Sequence, residues 1–526
     1  MQQRKTRSSK PKIDLNFKLT EDYSLLLRDL LERLEPSRRN LYLREVCFSK
    51  FVSSDTAPAD VRRQRAVNKW LAAERNNEAT NDRLAITHDG YQILPRVCWS
   101  SFVIKCREVV SGILGDMPPE DSLIGIFSGG ASTSRGRTSS HPALKYLGKA
   151  DVTAPAMSIF LDLLEDMPGW SCNRSDVDTL DVVPGNIMFT VPKTSDIDRC
   201  ACKEPDINMF LQKGIGGAIR RALRRVGVDL NDQSVNRNYA RKGSIDGSLA
   251  TLDLSSASDS VTTGLVELLL PDIWFSVLNQ LRSPVTDVFG ELHRNEMFSS
   301  MGNGFTFELE SLLFYAIART TAYFRGISGS ISVYGDDIIV PNDLAQDLSW
   351  VLGYCGFEVN ASKSFWTGSF RESCGGHYDG GVDITPFYVK APTSDLQSLI
   401  HLGNSMRQWA GNGPLGLLGF CDSDLYPLWE KIRDTVPKRF WGGRNLASKD
   451  ALVTPDLPRM KLTPITKRLD NGTGGYVLWL NATMNRLTDG CVEASTRSKE
   501  SGRFRARPNT TPYIWLTTPS FLEEVI

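Results

Sequence analysis

Two adjacent carboxylates, Asp336 and Asp337, stand in Ile331-Ser332-Val333-Tyr334-Gly335-Asp336-Asp337-Ile338-Ile339-Val340 between runs of apolar and β-branched residues. Such runs read as two short strands, and Tyr-Gly-Asp-Asp between them reads as the tight turn of a hairpin, which puts the acids at its tip. An isolated Asp-Asp pair would be read as a solvated turn. A third acid changes that reading. Leu249-Ala250-Thr251-Leu252-Asp253-Leu254 is another short apolar strand with one carboxylate near its C-terminal end. A carboxylate so placed is unfavourable unless it has a cation to face. If that strand pairs beside the hairpin, Asp253 and Asp336 can share hard divalent cations, with Asp337 close by. Oxygen-only ligands without histidine or cysteine favour Mg2+, or Mn2+, over zinc. Two such ions suit in-line phosphoryl displacement, one activating the attacking oxygen and the other stabilising the leaving group.

These acids need a scaffold, and 526 residues, 41% of them hydrophobic, suffice for two or three packed subdomains. No apolar run reaches the roughly eighteen residues needed to span a bilayer, and the basic N-terminus has no apolar segment behind it, so neither secretion nor membrane insertion is expected. The cysteines are scattered, the closest pair being Cys200 and Cys202, so neither a zinc site nor a disulfide framework is indicated and a reducing cytoplasm is the simplest compartment. His88, His141, His293, His377 and His401 form no ligand spacing and read as structural or surface residues. Lys plus Arg and Asp plus Glu both number 61, giving no net charge. Nucleic-acid binding would then rest on local basic walls, which suits an enclosed channel better than an open surface.

Residues 1–12 hold Arg4, Lys5, Arg7, Lys10 and Lys12 without an acid and are expected to be a disordered tail. From about residue 15 to residue 115 the pattern is largely helical, leucines covering one face from Tyr23 to Leu31, and no chemistry is legible there. A packing layer is the expectation. Phe127 to Arg137 is a small-residue loop ending in two arginines. Phe189-Thr190-Val191-Pro192-Lys193 reads as a strand ending in a lysine, and a turn then leads to Arg199 on a second short strand. Two cations could thus be aimed into one cleft, the rival reading being a structural salt bridge to Asp196 or Glu204. Ile219, Ala222, Leu223 and Val226 fall on one helical face, with Arg220, Arg221, Arg224 and Arg225 on the other. No acid within that helix offsets the arginines. With Arg237, Arg241 and Lys242 following, a phosphate-tracking wall is favoured over a plain solvated face.

Gly264 to Leu281 reads as helix interrupted near Pro271, and Phe305 to Phe324 as a helix with Leu309, Leu312, Leu313 and Ala316 toward the core. Gly302-Asn303-Gly304 feeds the second of these, and its glycines let backbone approach a substrate closely. Leu344 to Tyr354 is a further helix, and Gly356 to Phe365 leads into a strand. From about Ala391 the chain is helical, then irregular. Trp409, Trp429, Trp441, Trp479 and Trp515 are packing anchors, or one of them a stacking platform for a base pair. Arg497, Lys499, Arg503, Arg505 and Arg507 form a late basic cluster.

The hairpin, the Asp253 strand and Met301-Gly302-Asn303-Gly304-Phe305-Thr306-Phe307-Glu308-Leu309-Glu310-Ser311 together resemble the catalytic motifs of viral RNA-dependent RNA polymerases. They are most similar to those of the replicase catalytic (beta) subunit of the leviviruses, the small single-stranded RNA bacteriophages. The resemblance runs from about Phe189 to about Lys390. It implies an α+β fold of the right-hand polymerase type. Residues 1–110 would be an N-terminal helical region packing on the fingers, 111–248 the fingers, 249–390 a palm with an antiparallel sheet, and 391–526 the thumb and C-terminal region. Residues 265–300 would belong partly to the fingers. The implied reaction is RNA-templated transfer of a nucleoside monophosphate from an NTP to a 3'-hydroxyl. Two Mg2+ ions would be held by Asp253 and Asp336, with Asp337 a ligand or a supporting acid.

By the same resemblance Lys193 and Arg199 line the path of the incoming triphosphate, and Gly302 belongs to the nucleotide site. Lys363 would protonate the departing pyrophosphate, a plain surface lysine being the rival reading. Asp259 and Asn303 are the candidates for reading the ribose 2'-hydroxyl, which both donates and accepts. Glu310 stands where many viral relatives carry Asn, a departure shared with the phage replicases. Implied partners are template and nascent RNA, NTPs, host elongation factors Tu and Ts and a ribosomal protein, in the cytoplasm of a bacterial host with no membrane involved. Two rivals remain at this level: a reverse transcriptase, and an RNA-binding structural protein whose acids are relics.

Overall fold

Leu309, Leu312, Leu313, Phe314, Ala316 and Ile317 of the helix Thr306–Arg325 are all fully buried, and this helix is apolar around most of its circumference. A helix of that kind belongs at the centre of a layered structure rather than on its surface. It packs against the helices Trp99–Leu114 and Asp206–Arg225 on one side and Ala345–Tyr354 on another. This computed structural model describes residues 19–52, 57–86, 90–146, 149–165, 167, 180–410, 425–441, 449 and 451–454. The basic tail at 1–12, His88, Trp479, Trp515 and the late basic cluster lie outside the described residues. The chain divides into two units, one of residues 56–385 and one joining residues 1–55 to 386–526.

In the larger unit helices and strands mix. The expected hairpin forms from Ser332–Tyr334 and Asp337–Pro341, with Tyr334 paired to Asp337, so Gly335 and Asp336 are its two-residue turn. Leu249–Leu252 pairs antiparallel with the second hairpin strand, Ile338 opposite Leu252 and Val340 opposite Ala250. The strand expected to run through Leu254 breaks at Asp253, because Leu254–Ser255 leaves this sheet to pair with Glu358–Val359. Asp253 therefore stands in the gap between two sheets. A further sheet, ordered Glu291–Arg294, Val285–Val288, Asn186–Pro192, Asp198–Lys203, carries the two cationic segments.

The helix pair Thr263–Leu269 and Asp272–Leu281 breaks at Pro271, as the missing N–H of proline requires. Residues 57–115 are largely helical as expected, with a short hairpin, Gln92–Leu94 and Val97–Cys98, interposed. The arginine-rich helix ends at Arg225, so Val226 lies past its last turn and is 40% exposed instead of completing the apolar face. The small-residue loop at 127–137 is held to its surroundings. Ser132 and Ser134 hydroxyls and the Asp151 amide all donate to the buried Asp206 carboxylate, and Lys145 donates to the carbonyls of Ser128 and Gly130.

The smaller unit is helical. Asp22 caps Tyr23–Arg33 by accepting from the Ser24 amide, and Leu27 and Leu31, one turn apart, are buried with Leu399, Met406, Trp409, Trp429 and Ile432. Trp409 and Trp429 are packing anchors of this core, and the guanidinium of buried Arg407 lies 5.2 Å from the Trp429 ring centre. Among the described residues no helix is long and apolar enough to cross a membrane, and each cysteine there is a free thiol.

Candidate active site

Each functional side chain in the larger unit is fixed by a local reason. The Gly335 amide donates to Ser311 Oγ at 2.9 Å, and Ser311 in turn donates to the Phe307 carbonyl, tying the hairpin turn to the central helix. Gly335 has a φ of +60°, a left-handed conformation in which a side chain is strained. Tyr334 closes edge-on against Phe307 with 5.1 Å between ring centres. Asp253 is held from the other side: Asn360 Nδ2 donates to its Oδ2 at 3.0 Å, the Asn360 amide donates to its carbonyl, and its own amide donates to Ser364 Oγ. Lys363, in the same turn, sits with Nζ 3.8 Å from Asp253 Oδ1.

A cleft of about 450 Å³ is lined by Asp253, Asp259, Asp336, Gly302, Asn303, Lys193, Arg199 and Lys363 together. Eight residues marked in the sequence, drawn from five separate segments, thus meet in one place. The salt-bridge rival for the cationic pair finds no support here, because Asp196 faces Arg65 and Glu204 is buried with Asn186, Gln212 and Ser283 donating to it. Gly302 has a φ of +116°, and a Cβ there would fall 2.2 Å from the Cys202 carbonyl oxygen. Its glycine is required by the close approach of the loop to the strand Asp198–Lys203.

Asp337 is not among the lining residues. Ser373 Oγ donates to its carboxylate at 3.3 Å, and burial pushes it up to about 6, against the pull of the Cys374 amide. The arginines expected to track RNA also lie outside the cleft lining. Arg220 pairs with Glu308 at 2.6 Å and also donates to the Leu230 carbonyl. Arg224 pairs with Asp229 at 3.3 Å and Arg225 donates to the Ile113 carbonyl. Arg237 and Arg241 donate to the carbonyls of Cys374 and Gly381. Offsetting acids are present after all, supplied by other elements rather than by the helix itself. Among the described residues Arg221 alone of the six has no such partner.

Acids and cations intermix in the cleft, Lys363 lying beside Asp253. Burial raises Asp253 above the usual carboxylate range, Lys363 opposes that, and Asp336 adds to it. Burial takes Asp259 up to about 7 despite the neighbouring charges of Arg199, Lys69 and Lys193. Glu310 is pushed well above its ordinary value by burial and by Asp336, Asp259 and Glu308. Lys193 is lowered, first by burial and then by Arg199, Lys69 and Lys363. Two buried atoms that line the same cleft are orphaned among the described residues: Asn303 Nδ2 has no acceptor there and Glu310 Oε2 no donor. The donor set in the same cleft, Asp253 and Asp336, is oxygen-only, and among the described residues Lys363 is the one cation within ion-pair reach of it, which fits a hard divalent cation. Among the described residues no three acid, histidine or cysteine side chains converge as a complete metal cage.

Sequence reading expected helix but no chemistry in this region, and so missed that the helix Ala59–Ala85 contributes Ala66, Lys69 and Trp70 to the cleft. It also missed Asn360 and Ser364, which hold Asp253. The proximity of Asn360 to Lys363 was the available signal for the second group, while the first carries no motif.

Comparison with known proteins adds the following. The sequence profile of the family described as RNA replicase, beta-chain, matches residues 20–473. The chain is 38% identical over 500 residues to the RNA-directed RNA polymerase beta chain of Enterobacteria phage GA, covering 92% of this chain and 90% of that one. It is 42% identical over 397 residues to the corresponding chain of Escherichia phage MS2, covering 74% and 72% respectively. Among solved structures, an insertion loop deletion mutant of the RNA-dependent RNA polymerase of a human picorbirnavirus is similar at 13% identity with a TM-score of 0.32. That likeness covers 48% of this chain and 57% of the other and is too loose to carry an argument.

Proposed function

This chain belongs to the RNA replicase beta-chain family and is an RNA-directed RNA polymerase of the RNA phages, and we propose that it copies a single-stranded RNA phage genome by two-metal nucleotidyl transfer from NTPs. The observation that carries the mechanism is the one cleft lined by Asp253, Asp259 and Asp336 together with Lys193, Arg199 and Lys363. Asp253 and Asp336 would hold two Mg2+ ions, or Mn2+, with Asp337 supporting the hairpin behind them. Bound there, the ions supply activation of the 3'-hydroxyl and neutralisation of the charge that builds on the triphosphate. A pair of carboxylates rather than a complete cage is what Mg2+ favours, since substrate phosphates and water fill the remaining positions.

The chain's own groups do the rest by positioning and electrostatics. Lys193 and Arg199 bind the triphosphate, placing its α-phosphorus in line with the primer or first-nucleotide hydroxyl. Lys363 lies beside Asp253 and delivers a proton to the departing pyrophosphate. Asp259 and the unpaired Asn303 amide receive the ribose 2'-hydroxyl, the acid accepting and the amide donating. Gly302 keeps its loop against the Asp198–Lys203 strand so that Asn303 lines the site.

On this reading residues 111–248 serve as fingers, 249–390 as palm and 391–526 as thumb; of the N-terminal region, residues 57–110 pack on the fingers, while residues 19–52 share the core of the C-terminal unit. Arg220, Arg221, Arg224, Arg225, Arg237 and Arg241 form the wall past which template and nascent RNA run. Of these, Arg221 is the freest to touch phosphate. Host elongation factors Tu and Ts and a ribosomal protein complete the working complex in the bacterial cytoplasm. The test is Asp336→Asn. Incorporation on an RNA template should fall by at least about a hundredfold while RNA binding is retained. Undiminished incorporation would remove the mechanism.

A further inference from the structure

We propose that Lys69, on a helix outside every polymerase motif of this chain, is a third cation that contacts the triphosphate of the incoming nucleotide. The inference rests on the cleft being the nucleotide site, and adds to it a residue from the region where no chemistry was expected.

The helix Ala59–Ala85 is anchored firmly to the elements that carry the other cations. Ala66, Val67 and Trp70 bury against Met188, Cys200, Cys202 and Met297, on and beside the two strands that flank Lys193 and lead through Arg199. Arg62 pairs with Asp198 at 3.1 Å, both side chains nearly excluded from solvent, immediately before Arg199. Further along, the Glu74 carboxylate accepts the amides of Glu296 and Met297, and Asn77 Nδ2 donates to the Asp259 carbonyl at 2.7 Å. The helix is therefore tied to both the Lys193–Arg199 hairpin and the Asp259 turn. Lys69 has a rigid base.

Its side chain is left for the cleft. Arg62 and Arg65 pair with Asp198 and Asp196, and Arg63 lies over the Phe289 ring at 5.6 Å. Lys69 itself is exposed and lines the cleft, and among the described residues no carboxylate stands within ion-pair distance of it. Its charge is felt at both neighbours, holding Asp259 down and pushing Lys193 down. Lys69, Lys193, Arg199 and Lys363 thus line one cleft, and the other three each push Lys193 down. Among the described residues only Lys363 of the four has a carboxylate in ion-pair reach, at Asp253, so the repulsion among the others is relieved when a polyanion enters, and a triphosphate is the polyanion that the proposed reaction brings to this cleft. A lysine suits the position because its flexible stem lets a point charge follow phosphates as they move.

The experiment compares wild type, Lys69→Ala and Lys69→Arg in the assembled, RNA-copying enzyme, with initial rates measured against NTP concentration. Inorganic tripolyphosphate serves as a competitive inhibitor, and RNA affinity is measured across salt concentrations. Lys69→Ala should raise the KM for NTP about tenfold, weaken tripolyphosphate inhibition by a similar factor and leave RNA affinity and its salt slope unchanged. Lys69→Arg should recover most of the loss. Unchanged KM and tripolyphosphate inhibition would overturn the assignment, as would a defect that follows RNA affinity with a shallower salt slope, which marks a template contact. Asp336→Asn run alongside separates the two levels. An inactive Asp336→Asn with an unaltered Lys69→Ala defeats only this inference, whereas an active Asp336→Asn defeats the cleft as the reaction site.

Discussion

Replacing Gly335 with alanine tests how tightly the acid-bearing turn is held. The backbone at Gly335 has a φ of +60°, and a Cβ built there would lie 2.5 Å from Phe307 Cε2, 3.0 Å from Phe307 Cδ2 and 3.1 Å from Glu310 Oε1. The left-handed conformation costs a side-chain-bearing residue about 1–2 kcal/mol. Crowding into packed surroundings adds about 1–3 kcal/mol, since Phe307 is already engaged with Tyr334 and the Arg220 guanidinium. Gly335→Ala should therefore destabilise the protein by roughly 2–5 kcal/mol. Gly375→Ala is the control. It shares a positive φ, +69°, but a Cβ there meets nothing within 4 Å, so only the backbone cost of about 1–2 kcal/mol applies. Denaturant unfolding of both variants isolates the contact. Incorporation on an RNA template reads its consequence, because a turn displaced by about 1 Å carries Asp336 with it and can cost on the order of a hundredfold in rate. Equal destabilisation by the two substitutions, with full activity in Gly335→Ala, would refute the reasoning.

Two further outcomes follow from the charges. An acid raised to about 7 in the folded chain binds its proton more tightly there than when unfolded, so Asp259 should make the ligand-free protein lose stability as pH rises from about 4 to about 7. Asp259→Asn should flatten that dependence and melt higher than wild type above pH 7, by up to ~4 kcal/mol; an unaltered melting-against-pH curve would contradict it. Arg220→Ala breaks a largely buried ion pair and should destabilise by about 2–3 kcal/mol. Arg221→Ala, on the exposed face, should leave melting within about 0.5 kcal/mol of wild type and reduce the salt slope of RNA binding by about one.

What could be read from the chain beforehand was set by how local the signal is. The Tyr334 hairpin and the Pro271 break are written in neighbouring residues, and both formed as expected. Pairing of the Asp253 strand with that hairpin was legible too, though not the switch of partner that isolates Asp253 between sheets. The helix Ala59–Ala85 stayed silent for a physical reason. Its buried face continues past Trp70 with Glu74, Asn77 and Thr80, the first two bonded to backbone of distant loops and Thr80 accepting from Arg83 of the same helix. A periodicity search sees only a polar helix there. The arginine-rich helix shows only half of its surroundings in its own sequence, because the acids that pair with Arg220 and Arg224 come from positions 308 and 229, outside its window. Asp337 follows Asp336 directly, yet its carboxylate accepts from Ser373, a partner far along the chain that no local pattern announces.

The central claim is that Asp253 and Asp336 jointly bind divalent cations against a nucleotide triphosphate. Counting Mn2+ ions bound per chain by electron paramagnetic resonance, in the presence of a non-hydrolysable NTP analogue, addresses it without relying on turnover. Wild type should take up about two ions, and Asp253→Asn or Asp336→Asn should lose at least one of them or bind them far more weakly. Identical stoichiometry and affinity in all three proteins would contradict the account.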